Sequence, residues 1–269
     1  RNIYEFQPDI IFSLGGEWTM LPFIFKNEIV VVNSFLSGFR SVVEADVHLC
    51  TNKQLAIEAC KDYDGMDMDK YMEIPRGLIL KENSKPKKRK FYNLNEDQFV
   101  IVTVGYSLEC FLTKKFLMPI GKMIKRNPNF VWLCVGTPHI PQIETFFPEL
   151  VKNNQIRTVK SDFNLPSLYE MADVYLNPPR KGGGTGIAQA MYGGLPIAMN
   201  FFPSSDGVMW LGKDNVIPGD VEELVTYIEA LSKDHSYQRA ESDRMRKEAE
   251  NFSYHNVISK IDNIFRELV

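Results

Sequence analysis

With 269 residues, the chain is long enough for about two domains and a sizeable buried core. Hydrophobic residues make up 44% and charged residues 24%, which excludes a disordered or fibrous chain and fits a globular one. The net charge of -3 supplies no field for nucleic acid, and no apolar run approaches the ~20 residues of a membrane span.

The cysteines, Cys50, Cys60, Cys110 and Cys134, form no C-x-x-C pair, so neither a zinc site nor a redox motif is indicated. Their sparse placement fits the reducing cytoplasm. No signal peptide is visible. The chain starts at Arg1 and enters a strand-like pattern almost at once, so a further N-terminal region is expected to precede it.

In chain order, strands are expected over residues 9–14, 28–33, 46–50, 99–104, 130–135, 156–159, 174–177 and 196–200. Most are continuous Val, Ile, Leu and Phe runs, as strands buried on both faces require. Helical faces fall between and after them. Phe116, Leu117, Ile120 and Ile124 form one, Leu224, Val225, Ile228 and Leu231 another, and Val257, Ile261, Ile264 and Leu268 a third. Strands alternating with helices predict an α/β chain with parallel sheets.

Gly15-Gly16-Glu17-Trp18 follows the first strand, and Glu17 is an acceptor-side candidate. His48 lies within a strand and reads as a core residue. Asp67-Met68-Asp69 matches the D-x-D string of metal-dependent transferases. Such a string is common in acidic loops and lies far from the basic glycine loop described below, so no metal is assigned. Residues 79–96 are polar and lack an apolar face. They read as a linker between a partial first domain, 1–78, and a second domain, 97–252. Residues 253–269 form a helix long enough to return over the first domain. The linker carries the basic run Lys85-Pro86-Lys87-Lys88-Arg89-Lys90, a solvated stretch, or a contact for an acceptor or for anionic lipid at the inner membrane face. His139 follows Gly136-Thr137-Pro138 at the carboxyl end of a strand, where open α/β sheets bind ligands. His235 and His255 read as surface residues at helix ends.

Residues 172–196 are the most informative. They read strand, loop, helix, turn, strand. Pro178 and Pro179 end the strand, and Arg180 and Lys181 precede Gly182, Gly183 and Gly184. Three glycines at a helix start let backbone amides approach an anion, and the helix N-terminus adds partial positive charge. Arg180 and Lys181 can neutralise a diphosphate. Thr185 can cap the helix and offer a hydroxyl to phosphate, while Gln189, one turn on, can reach a ribose. The pattern is neither a Walker A loop nor a dinucleotide fingerprint.

Asn177-Pro178-Pro179-Arg180-Lys181-Gly182-Gly183-Gly184, followed by Ala190-Met191 and Gly194-Leu195-Pro196, resembles the donor-site motif of glycosyltransferase family 4 and its GT-B relatives. The version here is similar to a subgroup of bacterial surface-polysaccharide transferases. The likeness spans nearly the whole chain. Ala45-Asp46-Val47-His48-Leu49-Cys50 resembles a late strand of the N-terminal domain. Glu73-Ile74-Pro75-Arg76-Gly77 resembles the crossover, and Val102-Thr103-Val104-Gly105 the first strand of the C-terminal domain.

The resemblance implies a GT-B fold of two Rossmann-type domains, the first incomplete. It also implies a retaining transfer of a hexose from a nucleotide sugar, with a UDP-sugar as the expected donor, without a metal or other cofactor. The acceptor would be a glycan, a lipid-linked sugar or a protein. It places Gly105 under the diphosphate and Ser161 and Phe163 around the base. Three departures from the family's pattern are visible. Lys181 and Gln189 stand where it has acidic residues, and Tyr106-Ser107 stand where an arginine usually follows the glycine turn. Asn33-Ser34 replaces a histidine. Lys114 and Lys115 can still reach a phosphate from the following helix. The alternatives are a non-catalytic GT-B partner subunit and a nucleotide-sugar epimerase.

Overall fold

The structure, a computed structural model, describes residues 3–14, 30–35, 45–50, 53, 67–74, 89–160, 164–180, 184–202 and 205–269. The chain divides into two compact units, residues 1–77 with 252–269, and residues 78–251.

The first unit opens with a short helix, α1 (Ile3–Phe6), and holds four parallel strands in sequence order: β1 (Ile10–Leu14), β2 (Val30–Phe35), β3 (Val47–Cys50) and β4 (Tyr71–Glu73). β2 runs through Asn33 and Ser34 to Phe35, past the expected end at residue 33. Pairing of Leu14 with Ser34 and of Phe35 with Cys50 carries it there. β4 was not expected from the sequence. It is a three-residue edge strand in which only Tyr71 is buried, so no apolar run marks it. The core of this unit joins Val32, Val47, Leu49 and Ile74 to Val257, with Ile261, Ile264, Phe265 and Leu268 packed against them. Those last five residues form one stripe of α10 (Tyr254–Leu268), whose first turn is capped by Ser253 accepting from the Asn256 amide at 3.3 Å. Asp67 and Asp69 are bound to each other, the Asp69 amide donating to Asp67 Oδ1 at 3.0 Å, which accounts for this acidic pair as a local turn.

The second unit is a five-stranded parallel sheet in the order β7-β6-β5-β8-β9. Its strands are β5 (Phe99–Val104), β6 (Phe130–Val135), β7 (Ile156–Val159), β8 (Val174–Leu176) and β9 (Ile197–Ala198). β9 is shorter than expected because it is an edge strand paired only through Ile197 and Ala198, while Asn200 makes an isolated bridge to Ile217. The helices are α2 (Lys114–Arg126), α3 (Pro141–Phe146), α4 (Pro148–Lys152), α5 (Leu165–Met171), α6 (Gly184–Tyr192), α7 (Asp206–Leu211), α8 (Val221–Lys233) and α9 (His235–Glu250). The stripe Phe116, Leu117, Ile120, Met123 and Ile124 of α2 and the stripe Val221, Leu224, Val225, Ile228 and Leu231 of α8 enter one core with Ile101 and Trp132. The buried Trp132 indole donates to Thr103 Oγ1 at 3.0 Å, and Thr103 donates to the Leu176 carbonyl at 2.7 Å. This chain satisfies the two polar groups inside the sheet and ties β6, β5 and β8 together.

Arg89, from the basic run, is not solvated. It donates to the Gln98 carbonyl at 2.6 Å and pairs with Asp173 at 2.9 Å; Asp173 also accepts from the Val100 amide at 2.7 Å. The cation thus bolts the start of this unit to the amino ends of β5 and β8.

Candidate functional site

The strand order of the second unit steps outward from β5 to β7, then returns to place β8 on the other side of β5. The crevice where such an order reverses, at the carboxyl ends of the strands, is where open α/β sheets take their ligands. Here it lies between the ends of β5 and β8, and each end contributes part of the candidate site.

After β8 the chain runs Asn177-Pro178-Pro179-Arg180. The Arg180 side chain turns inward and is only 4% exposed. Its Nη2 donates to the Val104 carbonyl at 2.8 Å and to the Tyr175 hydroxyl at 3.4 Å, and its Nε donates to Asn177 Oδ1 at 3.2 Å. The Tyr175 hydroxyl donates to the same Val104 carbonyl at 3.1 Å. A guanidinium from the β8 loop therefore arrives at the end of β5. It packs on Gly105, whose missing β-carbon leaves the space that Nη1 fills. Gly136, at the end of β6, has φ of +107° and comes so close that a β-carbon there would lie 2.5 Å from the Gly105 carbonyl oxygen. Both the conformation and the closeness require glycine.

Behind the guanidinium lie two buried phenols. The Tyr169 and Tyr175 rings meet edge to face at 6.0 Å between centroids. Burial, the largest effect, pushes both phenols up, and the positive charge of Arg180 opposes it. Both stay protonated, and the Tyr175 hydroxyl donates to Val104. Among the described residues, Tyr169 OH has no hydrogen-bond partner.

Gly184 is the first residue of α6, whose opening amides have no intrahelical acceptor. Thr185 is exposed on the first turn, and Gln189 is half-buried one turn later. The structure thus brings Gly105 and Arg180 into contact and places Gly184, Thr185 and Gln189 on one helix. Lys114 and Lys115 are exposed at the start of α2, where Thr113 accepts from the Phe116 amide at 3.4 Å. Lys114 Nζ lies 5.6 Å from the centre of the Phe146 ring, a cation–π contact directed at α3. Lys181, Gly182, Gly183, Ser161 and Phe163 lie outside the described residues, as does Glu17.

His139 stands at the carboxyl end of β6 with Nδ1 2.6 Å from Glu144 Oε1, both side chains largely exposed. Beside it the Thr137 hydroxyl donates to Glu109 Oε2 at 3.0 Å, and Gln142 Nε2 donates to the Glu109 carbonyl at 2.8 Å. His48 belongs to the first unit, buried and stacked on Tyr71.

Tyr169 and Tyr175 were not singled out from the sequence, and Asn177 entered only as the first residue of the donor-site motif. The available signal was a tyrosine inside the short apolar strand β8, which read there as ordinary packing.

No family model and no curated protein matches the chain. Solved structures do. A glycosyltransferase from Rickettsia africae superposes with a TM-score of 0.75 at 14% identity, over 99% of this chain and 78% of that one. Anabaena HepE in complex with UDP gives 0.71 at 14% identity, over 96% and 79%. The N-terminal domain of Candida albicans trehalose-6-phosphate phosphatase gives 0.72 at 13% identity, over 96% and 70%. The fold is therefore the one shared by GT-B glycosyltransferases, built from parallel-sheet α/β units as the sequence pattern implies.

Proposed function

We propose that this protein transfers a glycosyl group from a nucleotide sugar, most simply a UDP-sugar, to an acceptor. One observation carries the reading: a guanidinium and the open N-terminus of α6 lie at the reversal point of the sheet, in a fold whose neighbours include HepE solved with UDP and with UDP-glucose. Backbone amides and a buried cation aimed at one place suit the charge that builds on a leaving diphosphate. Such preorganised stabilisation is usually the largest catalytic contribution. Lys181 adds a second positive charge next to Arg180 in sequence. Retention at the anomeric carbon, a hexose as the transferred sugar, and a place in bacterial surface-polysaccharide synthesis belong to the same proposal and rest on the family 4 resemblance.

A second reading, a GT-B partner that binds nucleotide without turnover, is favoured by the commitment of Arg180 Nε and Nη2 to protein acceptors. Calorimetry with UDP, GDP and ADP tests the shared premise: UDP is expected to bind, and failure of all three below the millimolar range would remove it. Product analysis with UDP-sugar and no acceptor then separates the readings. Free UDP with free sugar indicates a transferase, an altered sugar an epimerase, and an unchanged donor a binder.

A further inference from the structure

Buried polar groups in proteins are nearly always paired, so a buried phenol without a partner calls for an explanation. Tyr169 is 2% exposed, and among the described residues its hydroxyl has no hydrogen-bond partner. It faces the first turn of α6. A β-carbon on Gly186 would lie 3.7 Å from the Tyr169 hydroxyl and 2.9 Å from that of Tyr175. Glycine at 186 therefore leaves no side chain between the phenols and the helix start. Three kinds of donor gather there among the described residues: the opening amides of α6, the Tyr169 hydroxyl and the Arg180 guanidinium. A cation would be repelled by the guanidinium and by the positive end of the helix. An oxyanion with several acceptor oxygens would satisfy all three kinds of donor.

Resting on the nucleotide reading above, we propose that Tyr169 is a further binding residue of this site, its hydroxyl held unpaired in the free protein to donate to a phosphate oxygen of a nucleoside diphosphate. Tyr175 differs from it, because its hydroxyl is already paired with the Val104 carbonyl and braces Arg180. Burial keeps the Tyr169 phenol protonated, as a donor must be.

Tyr169→Phe deletes only the hydroxyl. The affinity of the full chain for UDP and for uridine, with the Tm of the free protein, tests the assignment, and Tyr175→Phe serves as the comparison. The expected result is a loss of UDP affinity of about tenfold, the scale of one hydrogen bond to a charged group. Uridine affinity stays unchanged and Tm does not fall, whereas Tyr175→Phe lowers Tm. Three results overturn the proposal: wild-type UDP affinity in Tyr169→Phe, an equal loss for UDP and uridine, or a fall in Tm matching that of Tyr175→Phe. If the wild-type chain binds no nucleoside diphosphate, the nucleotide reading and this proposal fall together. If it does bind and Tyr169→Phe binds equally well, only this proposal falls.

Discussion

The guanidinium of Arg180 occupies the space beside Gly105 where any larger residue would place its β-carbon. The two residues follow different strands, β8 and β5, and each sets a limit on the other. At Gly105 an alanine would collide with Nη1 and approach Cζ at 3.1 Å and Leu108 Cδ2 at 3.0 Å, and the guanidinium cannot yield without losing its bonds to Val104 and Asn177. Gly105→Ala is therefore expected to cost about 1–3 kcal/mol, the range of overpacking. In an Arg180→Ala background most of that cost should vanish, because the obstacle is gone. Urea denaturation of the two single variants and the double variant measures the coupling, and strictly additive losses would refute the matched pair.

Arg180→Ala should weaken UDP binding by roughly 10–100-fold, from the loss of a charge-assisted hydrogen bond of ~1.5–3 kcal/mol. Uridine, lacking the diphosphate, should bind nearly as before. The variant should also melt earlier, since the Asn177 amide oxygen loses the Arg180 Nε donor and the Val104 carbonyl keeps only Tyr175. Equal loss of UDP and uridine would make Arg180 a brace and nothing more.

The first unit should lose stability in mild acid through His48. Burial is the main cause holding this imidazole down to about 4, Lys70 adds to it, and Asp46 opposes it. Its ordinary value is about 6.5. Because the folded value is the lower one, the unfolded chain takes up the proton first as pH falls. Stability from this group is present above pH 6.5 and declines between about 6.5 and 4, by up to ~1.4 kcal/mol per pH unit. His48→Phe keeps an aromatic ring against Tyr71 and removes the titration. Its urea midpoint should vary less over that window than the wild type's, and identical pH profiles would contradict the assignment.

Asp173→Ala removes the partner of Arg89 and the acceptor of the Val100 amide. A loss of about 2 kcal/mol is expected from leaving such donors unpaired. UDP affinity should not change, because Asp173 precedes β8 whereas Arg180 follows it, at the opposite end of the strand. A variant that folds stably but fails to bind UDP would show that the two ends are coupled.

The central strands of the second unit were legible because strands buried on both faces leave continuous apolar runs, and β5 and β6 begin and end where those runs do. β4 was not legible, since a short edge strand with one buried residue leaves no run. Nor was α9, which buries only Met245 and Ala249 and so shows no stripe. At the site, the glycines and basic residues form a local pattern and could be read. The inward course of Arg180 could not, because the sequence gives a residue type and not the rotamer that packing selects. Tyr169 was invisible for a different reason: its hydroxyl reaches the start of α6 from α5, and only the folded chain brings those two helices together.

Val257 and the apolar residues that follow it on α10 complete the core of a unit whose strands lie within the first 77 residues. During synthesis those strands emerge long before the helix that covers them. Residues 78–251 leave the ribosome as an uninterrupted unit and can fold while the earlier strands still expose Val32, Val47 and Leu49. The first unit thus lacks its closing helix until residues 252–269 appear, and in that interval its uncovered apolar strands favour aggregation.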